Sequence, residues 1–426
     1  MNILMLCYYF PPISDVGSKR SVAFSTYFNK YGWKPFVISV KNPDKNYCSI
    51  GNEPPPEGVR VEYSYCIANL YKFVGQLNGV FSRLLKPFNI TLKRNYFYDL
   101  FCIPDHFCGW IPLTITKGIG IIRKCNIDVI YVSCSPFSSS IIGLVLKFLT
   151  RKPLIIDFRD PLVIKNVPYL KTPMIRNSIN IFIEDLILKY SDIFVVTTEE
   201  LRKAYLERYP LKERKIFTVH NGFDISYLIA QKPDKFKKFS IIYIGQFYFC
   251  DNRNDKYTDA FFQSISLLKS NGKINADNFQ FLYFGDGIER IERIARDLDI
   301  EDLVICSERK PYKDILEFLS KSHLQLLRII KPMISTKLYE GIPFDIPFLA
   351  TIPHGEVEEI ISKYSPASYV ITESSASKVA DAILDAIGKY RCNQIKGNYI
   401  EEFLSIYSRE NLTRKLIRII DDNIES

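Results

Sequence analysis

Histidine and paired cysteines are scarce in this sequence. Of its 426 residues, 4 are histidine, and none of the 10 cysteines belongs to a Cys-x-x-Cys pair. Zinc sites are usually built from such pairs and from closely spaced histidines, so the sequence predicts no metal site. Several cysteines stand inside apolar runs, as Cys7 and Cys134 do. That placement is typical of buried, reduced thiols in a cytosolic protein and not of a disulfide framework.

Long apolar runs are absent as well. No segment reaches the roughly 18 apolar residues that a membrane-spanning helix needs. The apolar stretch at the start carries no basic residue and meets Pro11 and Pro12, so we expect a buried strand there and not a signal peptide. No internal repeat or low-complexity segment is visible. We therefore expect a cytoplasmic protein that contacts a membrane at most from its surface.

The positive charge is unevenly distributed. The net charge is +9, and residues 1–150 contain 16 Lys and Arg against 8 Asp and Glu, whereas the rest of the chain contains 40 against 39. Almost all of the positive excess thus lies in the first third. An anionic surface is the kind of partner that such an excess attracts.

Residues 66–124 mix aromatic side chains with these cations. Such a segment could lie on an anionic membrane and reach a substrate linked to a lipid diphosphate. It could equally be an ordinary helical insertion that packs on the neighbouring sheet. Aromatic residues among cations also suit single-stranded nucleic acid, but no nucleic-acid-binding module is visible. We therefore expect no nucleic-acid partner.

Strands and helices alternate in two successive series, which predicts an α/β protein with two doubly wound parallel sheets. The first series ends at a short strand over residues 216–219, and the second begins with a strand over 239–244. Asn221 and Gly222 mark the predicted boundary. We expect one terminal helix over residues 401–421. Ligands of such sheets bind beyond the carboxyl ends of the strands, and a cleft between two facing sheets would be the default site.

Two loops that follow strands of the first series carry candidate binding residues. Gly17 would let backbone approach a ligand, and Lys19 with Arg20 could meet a phosphate, although an ordinary turn would look the same. The second loop holds Asp157, Arg159 and Asp160 directly after an apolar strand. Charged groups so close to a sheet core usually pair or act. A structural pair between Arg159 and a carboxylate is the plain alternative.

The loops of the second series are richer in cations. Arg253 and Lys256 follow the strand that ends at Gly245, and Arg309 follows a later strand and could face a base or ribose. Phosphate binding fits these cations, although exposed loop cations are common. The turn at residues 285–287 is not a Gly-x-Gly-x-x-Gly loop, so it gives no support for a dinucleotide site.

A helix over residues 336–340 is the most informative feature. Ser335 or Thr336 could cap its start. Lys337 and Glu340 are three positions apart and therefore share one face. A helix N-terminus next to a cation suits a diphosphate, and a carboxylate one turn later can accept hydrogen bonds from ribose or sugar hydroxyls. A surface helix with an incidental ion pair is the alternative.

Seven short motifs follow one another along the chain. They are Tyr-Tyr-Phe-Pro-Pro at 8–12, Asp-Val-Ile-Tyr-Val-Ser-Cys-Ser-Pro at 128–136, Asp-Phe-Arg-Asp-Pro at 157–161, His-Asn-Gly-Phe-Asp at 220–224, Tyr-Ile-Gly at 243–245, Phe-Gly-Asp-Gly at 284–287 and Thr-Lys-Leu-Tyr-Glu at 336–340. In this order they resemble the motifs of GT-B-fold glycosyltransferases of the GT4 type, over nearly the whole chain. The subgroup that the chain resembles most carries an Asp-x-Arg-Asp motif and commonly builds capsule, O-antigen or exopolysaccharide.

The resemblance implies a domain organisation and a reaction. It implies two Rossmann-like domains that face each other across a cleft, an acceptor domain at 1–224 and a nucleotide-sugar donor domain at 225–390. A helical segment at 391–426 would pack back towards the first domain. Such enzymes, hexosyl- and other glycosyltransferases of class EC 2.4, transfer a sugar from a nucleotide-diphosphate sugar with retention of configuration and usually need no metal or other cofactor. The acceptor would be a glycan, often linked to a polyprenyl diphosphate.

The resemblance also implies residue roles. Asp157, Arg159 and Asp160 would lie near the reacting sugar as the catalytic group, where relatives often have a histidine. Glu340 would contact donor hydroxyls. The other donor-binding residues would be Gly17, Lys19, Arg253, Lys256, Arg309, Ser335, Thr336, Lys337 and Leu338.

Three positions depart from the family pattern. Many relatives have a second glutamate eight positions before Glu340, where this chain has Pro332. Val16 replaces the first residue of a frequent Gly-Gly pair, and Leu162 stands where tryptophan is common. Two other readings stay open, a GT-B-fold nucleotide-sugar epimerase and a non-catalytic nucleotide-sugar-binding subunit, and the missing glutamate slightly favours the second. The low histidine content argues against the epimerase.

Overall fold

The chain forms two compact units in a computed structural model. The structure describes residues 1–44, 48, 51, 53–67, 70–88, 101–163, 174–228, 233–247, 260–329 and 334–424. One unit comprises residues 1–220 together with 409–426, and the other comprises residues 221–408. Arg253, Lys256, Pro332 and part of the basic aromatic segment lie outside the described residues.

The first unit is built on a seven-stranded parallel sheet with the order β3-β2-β1-β4-β5-β6-β7. Its strands are β1 Asn2–Leu6, β2 Lys34–Val40, β3 Arg60–Ser64, β4 Val129–Cys134, β5 Leu154–Phe158, β6 Ile193–Val196 and β7 Ile216–Thr218. Its helices are α1 Val16–Lys30, α2 Leu70–Leu85, α3 Ile111–Lys124, α4 Ser138–Thr150, α5 Met174–Tyr190, α6 Glu199–Arg208 and, from the end of the chain, α14 Arg409–Asn423.

The second unit holds a six-stranded parallel sheet with the order β10-β9-β8-β11-β12-β13. Its strands are β8 Phe239–Ile244, β9 Phe279–Phe284, β10 Val304–Ser307, β11 Leu324–Arg328, β12 Phe348–Thr351 and β13 Tyr369–Ile371. Its helices are α7 Ala260–Ser270, α8 Ile288–Asp297, α9 Tyr312–Lys321, α10 Thr336–Gly341, α11 Glu356–Tyr364, α12 Ala376–Arg391 and α13 Ile400–Tyr407.

Helices on both faces explain the continuous apolar strands. Every residue of β4, β5 and β6 is buried, as expected for parallel strands that are covered on both sides. The helices instead bury one stripe. In α8, for example, Ile291, Ile294 and Ala295 are buried while the intervening charged residues face outward, which is the helical spacing of an amphipathic surface helix.

The end of the chain differs from the prediction. Instead of one helix over 401–421 there are two, α13 and α14, separated at Ser408. Ser408 is extended and forms a parallel bridge with Phe223, so the helical hydrogen-bond ladder stops there. The segment predicted as one piece at 391–426 is therefore divided, because residues up to 408 belong to the second unit and α14 belongs to the first.

Two further features concern the expected surroundings of the protein. Among the described helices, none is both long and apolar enough to cross a membrane. The nine cysteines within the described ranges are free thiols, and Cys7, Cys48, Cys102 and Cys134 are buried.

Candidate functional site

The strand order reverses between β1 and β4 in the first sheet. Ligands of doubly wound sheets bind at such a switch point, beyond the carboxyl ends of the strands. Gly17 follows β1, the Ser135 turn follows β4, and Arg159 with Asp160 follows β5. The topology therefore brings these predicted loops to one edge of the sheet.

Arg159 connects these loops through its guanidinium. Its Nη1 donates to the carbonyl of Gly17 at 2.7 Å, its Nη2 to the carbonyl of Ser135 at 2.6 Å and its Nε to the carbonyl of Cys134 at 3.1 Å. The predicted pair between Arg159 and a carboxylate is not the arrangement seen. Because these hydrogen bonds go to backbone, Arg159 fixes the loops after β1, β4 and β5 relative to one another.

Gly17 has a steric reason to be glycine. A Cβ built at this position would lie 3.0 Å from Nη1 of Arg159 and 3.2 Å from the ring of Tyr9. A larger residue would therefore push the guanidinium away from its carbonyl partners. The described contact of Gly17 is thus with Arg159, and its predicted contact with a donor stays a prediction.

Asp157 is engaged in an internal ion pair. Its carboxylate is 0% exposed and accepts hydrogen bonds from Arg20 at 2.7 and 3.1 Å and from the Tyr131 hydroxyl. Arg20 also donates to the carbonyls of Val219 and His220 at 2.8 and 2.6 Å. The prediction that Arg20 meets a phosphate is therefore wrong, because the described contacts already occupy its guanidinium in the core. Direct catalytic contact of Asp157 stays a prediction that its burial does not favour.

Asp160 differs from its neighbours in the same motif. It is half-buried at the carboxyl end of the sheet, and within the described portion of the chain its carboxylate has no hydrogen-bond or ion-pair partner. Lys19, one turn into α1, is also half-buried. Of the three predicted catalytic residues, only Asp160 has a carboxylate that no other described residue engages. This carboxylate could accept a hydrogen bond from a substrate.

The second sheet repeats this geometry with a lysine. Its strand order reverses between β8 and β11. Gly245 follows β8, and Lys337 lies on α10, the helix that follows β11. The Lys337 ammonium is 3.8 Å from the centroid of the Tyr243 ring, and a Cβ built at Gly245 would lie 3.7 Å from its Nζ. The cation therefore sits at the switch point, next to the half-buried backbone of Gly245.

Lys337 is a partly desolvated cation. Burial lowers the pKa of its ammonium to about 8, and the nearby Glu340 opposes this shift. Its described side-chain contact is the face of the Tyr243 ring, which attracts the cation without neutralising its charge. An anion placed beside Gly245 would restore the stabilisation that burial removes from the ammonium.

The start of α10 agrees with the predicted cap. Ser335 is the N-cap, and its hydroxyl accepts a hydrogen bond from the Lys337 N–H at 3.4 Å, so Thr336 is the first helical residue. The helix has six residues, and the predicted dipole is therefore a small contribution beside the lysine charge. Leu338 was predicted to bind the donor, but its side chain is 0% exposed in the core and its N–H donates to the carbonyl of Ser335.

Glu340 has a partner that the sequence analysis missed. It is 7% exposed and accepts a hydrogen bond at 2.9 Å from the hydroxyl of Tyr312, the first residue of α9. Tyr312 packs edge-on against Tyr227 with ring centroids 5.0 Å apart. The signal available in the sequence was the position of Tyr312, just past β10 in the loop that also holds Arg309.

Arg309 is on the surface and forms an ion pair. Its Nε donates to Asp286 at 2.9 Å, and its Nη2 also contacts that carboxylate. Asp286 lies in the turn that the sequence predicted after β9, where Gly287 has a φ of 75°. A base or ribose would meet Arg309 together with this acid. Within the described ranges, no group of acidic, histidine or cysteine side chains could hold a metal ion.

Comparisons with known proteins bear on the family and the fold. Residues 91–227, less than half of the chain, match the family described as Glycosyltransferase Family 4. No curated protein matches the sequence. Many solved structures match, and three of them illustrate how much of each chain is covered. Sucrose-phosphate synthase from Thermosynechococcus elongatus has 15% identity and a TM-score of 0.66, covering 99% of this chain and 98% of that one.

The other two structures have similar identities, TM-scores and coverages. Anabaena HepE in complex with UDP has 11% identity and a TM-score of 0.65, covering 99% of this chain and 100% of that one. WaaG, a glycosyltransferase involved in lipopolysaccharide biosynthesis, has 12% identity and a TM-score of 0.61, covering 98% and 99%. The fold is GT-B. The predicted fold class, with two Rossmann-like parallel-sheet domains, is thus confirmed.

The GT-B fold by itself does not separate two kinds of enzyme. Structures described as UDP-N-acetylglucosamine 2-epimerases also match this chain, with lower TM-scores of 0.56 and 0.52. A fold hosts many functions, and function has to be argued from the site.

Proposed function

We propose that this protein is a retaining glycosyltransferase that moves a sugar from a nucleotide-diphosphate sugar to a lipid-linked glycan in cell-surface polysaccharide synthesis. The observation that carries the proposal is the Lys337 ammonium beside Gly245 at the switch point of the second sheet. Support comes from the match to Glycosyltransferase Family 4 and from similar structures, one of which contains UDP and another of which acts in lipopolysaccharide biosynthesis.

Lys337 stabilises the diphosphate as the sugar leaves in this proposal. The bond between the anomeric carbon and the phosphate oxygen breaks, and negative charge develops on that oxygen. A cation held in a partly desolvated site is worth more than one in water. Arg253 and Lys256 are proposed to join it, and Glu340 to accept hydrogen bonds from donor hydroxyls. No metal and no cofactor is proposed, because the lysine supplies the charge that a divalent ion would otherwise supply.

Asp160 is the proposed catalytic carboxylate of the first unit. It orients the acceptor hydroxyl and can take its proton as the new glycosidic bond forms. Retention follows if the hydroxyl attacks from the face that the diphosphate leaves. In this scheme Arg159 holds the loops after β1, β4 and β5 together, and Asp157 pairs with Arg20.

Donor binding is tested first by thermal shift with UDP-, GDP- and TDP-sugars. We expect one nucleotide class to raise the melting temperature of the wild-type protein and to have a much smaller effect on Lys337→Met. Lys321→Met is the control, because Lys321 is a surface lysine paired with Glu317. If no nucleotide stabilises the wild-type protein, the donor site is wrong. Transfer to a glycan acceptor in the presence of EDTA then tests the activity and the lack of a metal requirement.

The pH dependence of nucleotide binding follows from the lysine. Because the pKa of Lys337 is about 8 in the free protein, its ammonium loses its proton as the pH rises through this value. We expect UDP affinity to fall between pH 7.5 and 9.5, a range set around that pKa, and the fall to vanish in Lys337→Arg, whose guanidinium stays charged. Calorimetric titration checks this, and an unchanged affinity in the wild-type protein would contradict it.

The lipid-linked acceptor is proposed from α2. Phe73, Val80 and Leu84 share one face of this helix, with Phe81 beside them, and all four side chains are exposed. Arg83 and Lys86 are exposed next to them. Exposed apolar residues flanked by cations suit the surface of an anionic bilayer. We therefore place the enzyme on the inner face of the cytoplasmic membrane.

Flotation with vesicles tests this placement. We expect the protein to float with phosphatidylglycerol vesicles more than with phosphatidylcholine vesicles, and Phe73→Ser/Leu84→Ser to lose most of this binding. Ile305→Ser, which changes an exposed apolar residue of the second unit, is the control. Equal binding by all three proteins would contradict a membrane role for α2.

An epimerase is the second candidate, favoured by the structures that match at lower TM-scores. It would convert UDP-N-acetylglucosamine without any acceptor, so product analysis by NMR in the absence of acceptor separates the two activities. A protein that binds the donor but turns over nothing with any acceptor would instead be a non-catalytic subunit.

A further inference from the structure

Glu184 is a buried acid that neither the sequence analysis nor the proposed mechanism uses. It lies on α5 and is 0% exposed. Its Oε2 accepts a hydrogen bond from the backbone N–H of Val163 at 3.1 Å and from the Tyr205 hydroxyl at 3.0 Å. A buried carboxylate is costly unless several donors satisfy it. Here one of the donors is a backbone N–H of the loop that follows β5.

That loop carries Asp160. On the N-terminal side of Asp160, the loop is held through Arg159, whose guanidinium donates to three carbonyls. The backbone N–H of Arg159 also donates to the carbonyl of Cys134 at 3.0 Å, and the carbonyl of Arg159 accepts from the Thr197 hydroxyl at 3.2 Å. On its C-terminal side, Val163 is held by Glu184. Asp160 therefore lies between two anchors, one of them the buried carboxylate.

We propose that Glu184 is a positioning residue, which fixes the loop at Val163 and thereby directs the carboxylate of Asp160 towards the acceptor hydroxyl. The inference rests on the proposed function in assigning that role to Asp160. The anchoring of the loop by Glu184 can be measured without it. An error of about 1 Å in the placement of a reacting group costs roughly 100-fold in rate, so a second anchor three residues away has kinetic consequences.

The surroundings of Glu184 make the anchor sensitive to pH. The groups that face it are the hydroxyls of Tyr205 and Tyr209, the latter at 3.4 Å, and the guanidinium of Arg208, whose Nε is 3.8 Å away. Burial raises the pKa of Glu184 to about 7, although these donors and Arg208 oppose the shift. The charged carboxylate is the stronger acceptor for the Val163 N–H. Protonation below pH 7 therefore weakens the anchor.

The test compares Glu184→Gln with Asp185→Asn in the full-length protein. Both variants replace one acid by its amide on α5, but Asp185 is exposed and its described contact is Tyr209. Hydrogen exchange of the Val163 amide is measured by NMR or by mass spectrometry of short peptides. We expect faster exchange in Glu184→Gln, and faster still in Glu184→Ala, with Asp185→Asn like the wild type.

Kinetics give the second measurement. We expect kcat to fall about 10-fold in Glu184→Gln and about 100-fold in Glu184→Ala, with UDP affinity unchanged because the proposed diphosphate site lies in the other unit. The decrease of wild-type kcat from pH 8 to pH 6 should be absent in Glu184→Gln, which is neutral throughout. If Glu184→Ala does not fold, Tyr205→Phe, which removes one donor to the same oxygen, should change both measurements in the same direction.

The two proposals fail in different ways. If the wild-type protein transfers no sugar but Val163 exchanges faster in Glu184→Gln, the anchor stands and the proposed function fails. If the wild-type protein is active but Glu184→Gln has the exchange rate, kcat and pH profile of Asp185→Asn, the positioning role is overturned.

Discussion

The two sheets place cations with different partners at the same topological position. At the switch point of the first, the arginines form internal contacts: Arg20 binds a buried carboxylate and Arg159 binds three backbone carbonyls. At that of the second, Lys337 faces an aromatic ring beside a glycine. A cation near a sheet edge thus has a structural role where its donors already have protein partners and a binding role where they do not.

The largest effect expected from this comparison is on Asp160. Asp160→Asn keeps the shape of the side chain but removes the base, so we expect transfer to fall by about 100- to 10,000-fold, with nucleotide affinity and melting temperature unchanged. Steady-state kinetics with a matched binding titration measures both. Activity within a factor of a few of the wild type would show that another group serves the acceptor.

The next effect concerns stability in the first unit. Arg20→Met leaves Asp157 charged and buried without its cation, which costs about 3–5 kcal/mol in the free energy of unfolding. Arg159→Met leaves neutral carbonyls in a half-buried site and should cost less, about 1–3 kcal/mol. Denaturant unfolding measures both losses and shows which of the two is larger. In Arg20→Met/Asp157→Asn part of the loss should return, because no unpaired charge remains; a double variant no better than the single one would contradict the ion-pair explanation.

The smallest effect concerns Tyr312. Tyr312→Phe removes the hydrogen bond to Glu340 and keeps the ring, so we expect a loss of about 0.5–1.5 kcal/mol in donor binding. Tyr227→Phe, which removes the hydroxyl from the ring packed against Tyr312 and keeps that ring, is the control. Calorimetric titration with the donor sugar and with the free nucleotide shows whether the loss is confined to the sugar. Equal affinities for the wild type and Tyr312→Phe would mean that Tyr312 does not orient Glu340.

Local patterns predicted the fold well for physical reasons. Parallel strands buried on both faces read as apolar runs, and the strand expected over residues 239–244 is β8 to the residue. Regions with weaker patterns were less predictable. A helical insertion was only one of the alternatives for the segment that contains α2, which exposes apolar side chains, and β13, with three residues, was not predicted. The break at Ser408 was missed because no proline or glycine marks it in the sequence, and its partner Phe223 is distant along the chain.

The positions of the candidate residues in the fold were predictable, but their contacts were not. Loop positions after strands follow from topology, which is why Lys337, Asp160 and Gly17 could be named. Partners distant in sequence could not be read from local patterns. Arg20 and Asp157 are 137 residues apart, and Tyr312 and Glu340 are 28 apart. Only the three-dimensional structure therefore shows which cation already has a partner within the protein.

The claim that Lys337 binds the donor diphosphate is tested most directly by comparing UDP with uridine. Calorimetric titration of both ligands against the wild type and Lys337→Met isolates the interaction with the diphosphate. We expect Lys337→Met to bind UDP at least about 10-fold more weakly, or about 1.4 kcal/mol, with uridine affinity unchanged. Equal changes for the two ligands, or no change for UDP, would contradict the account.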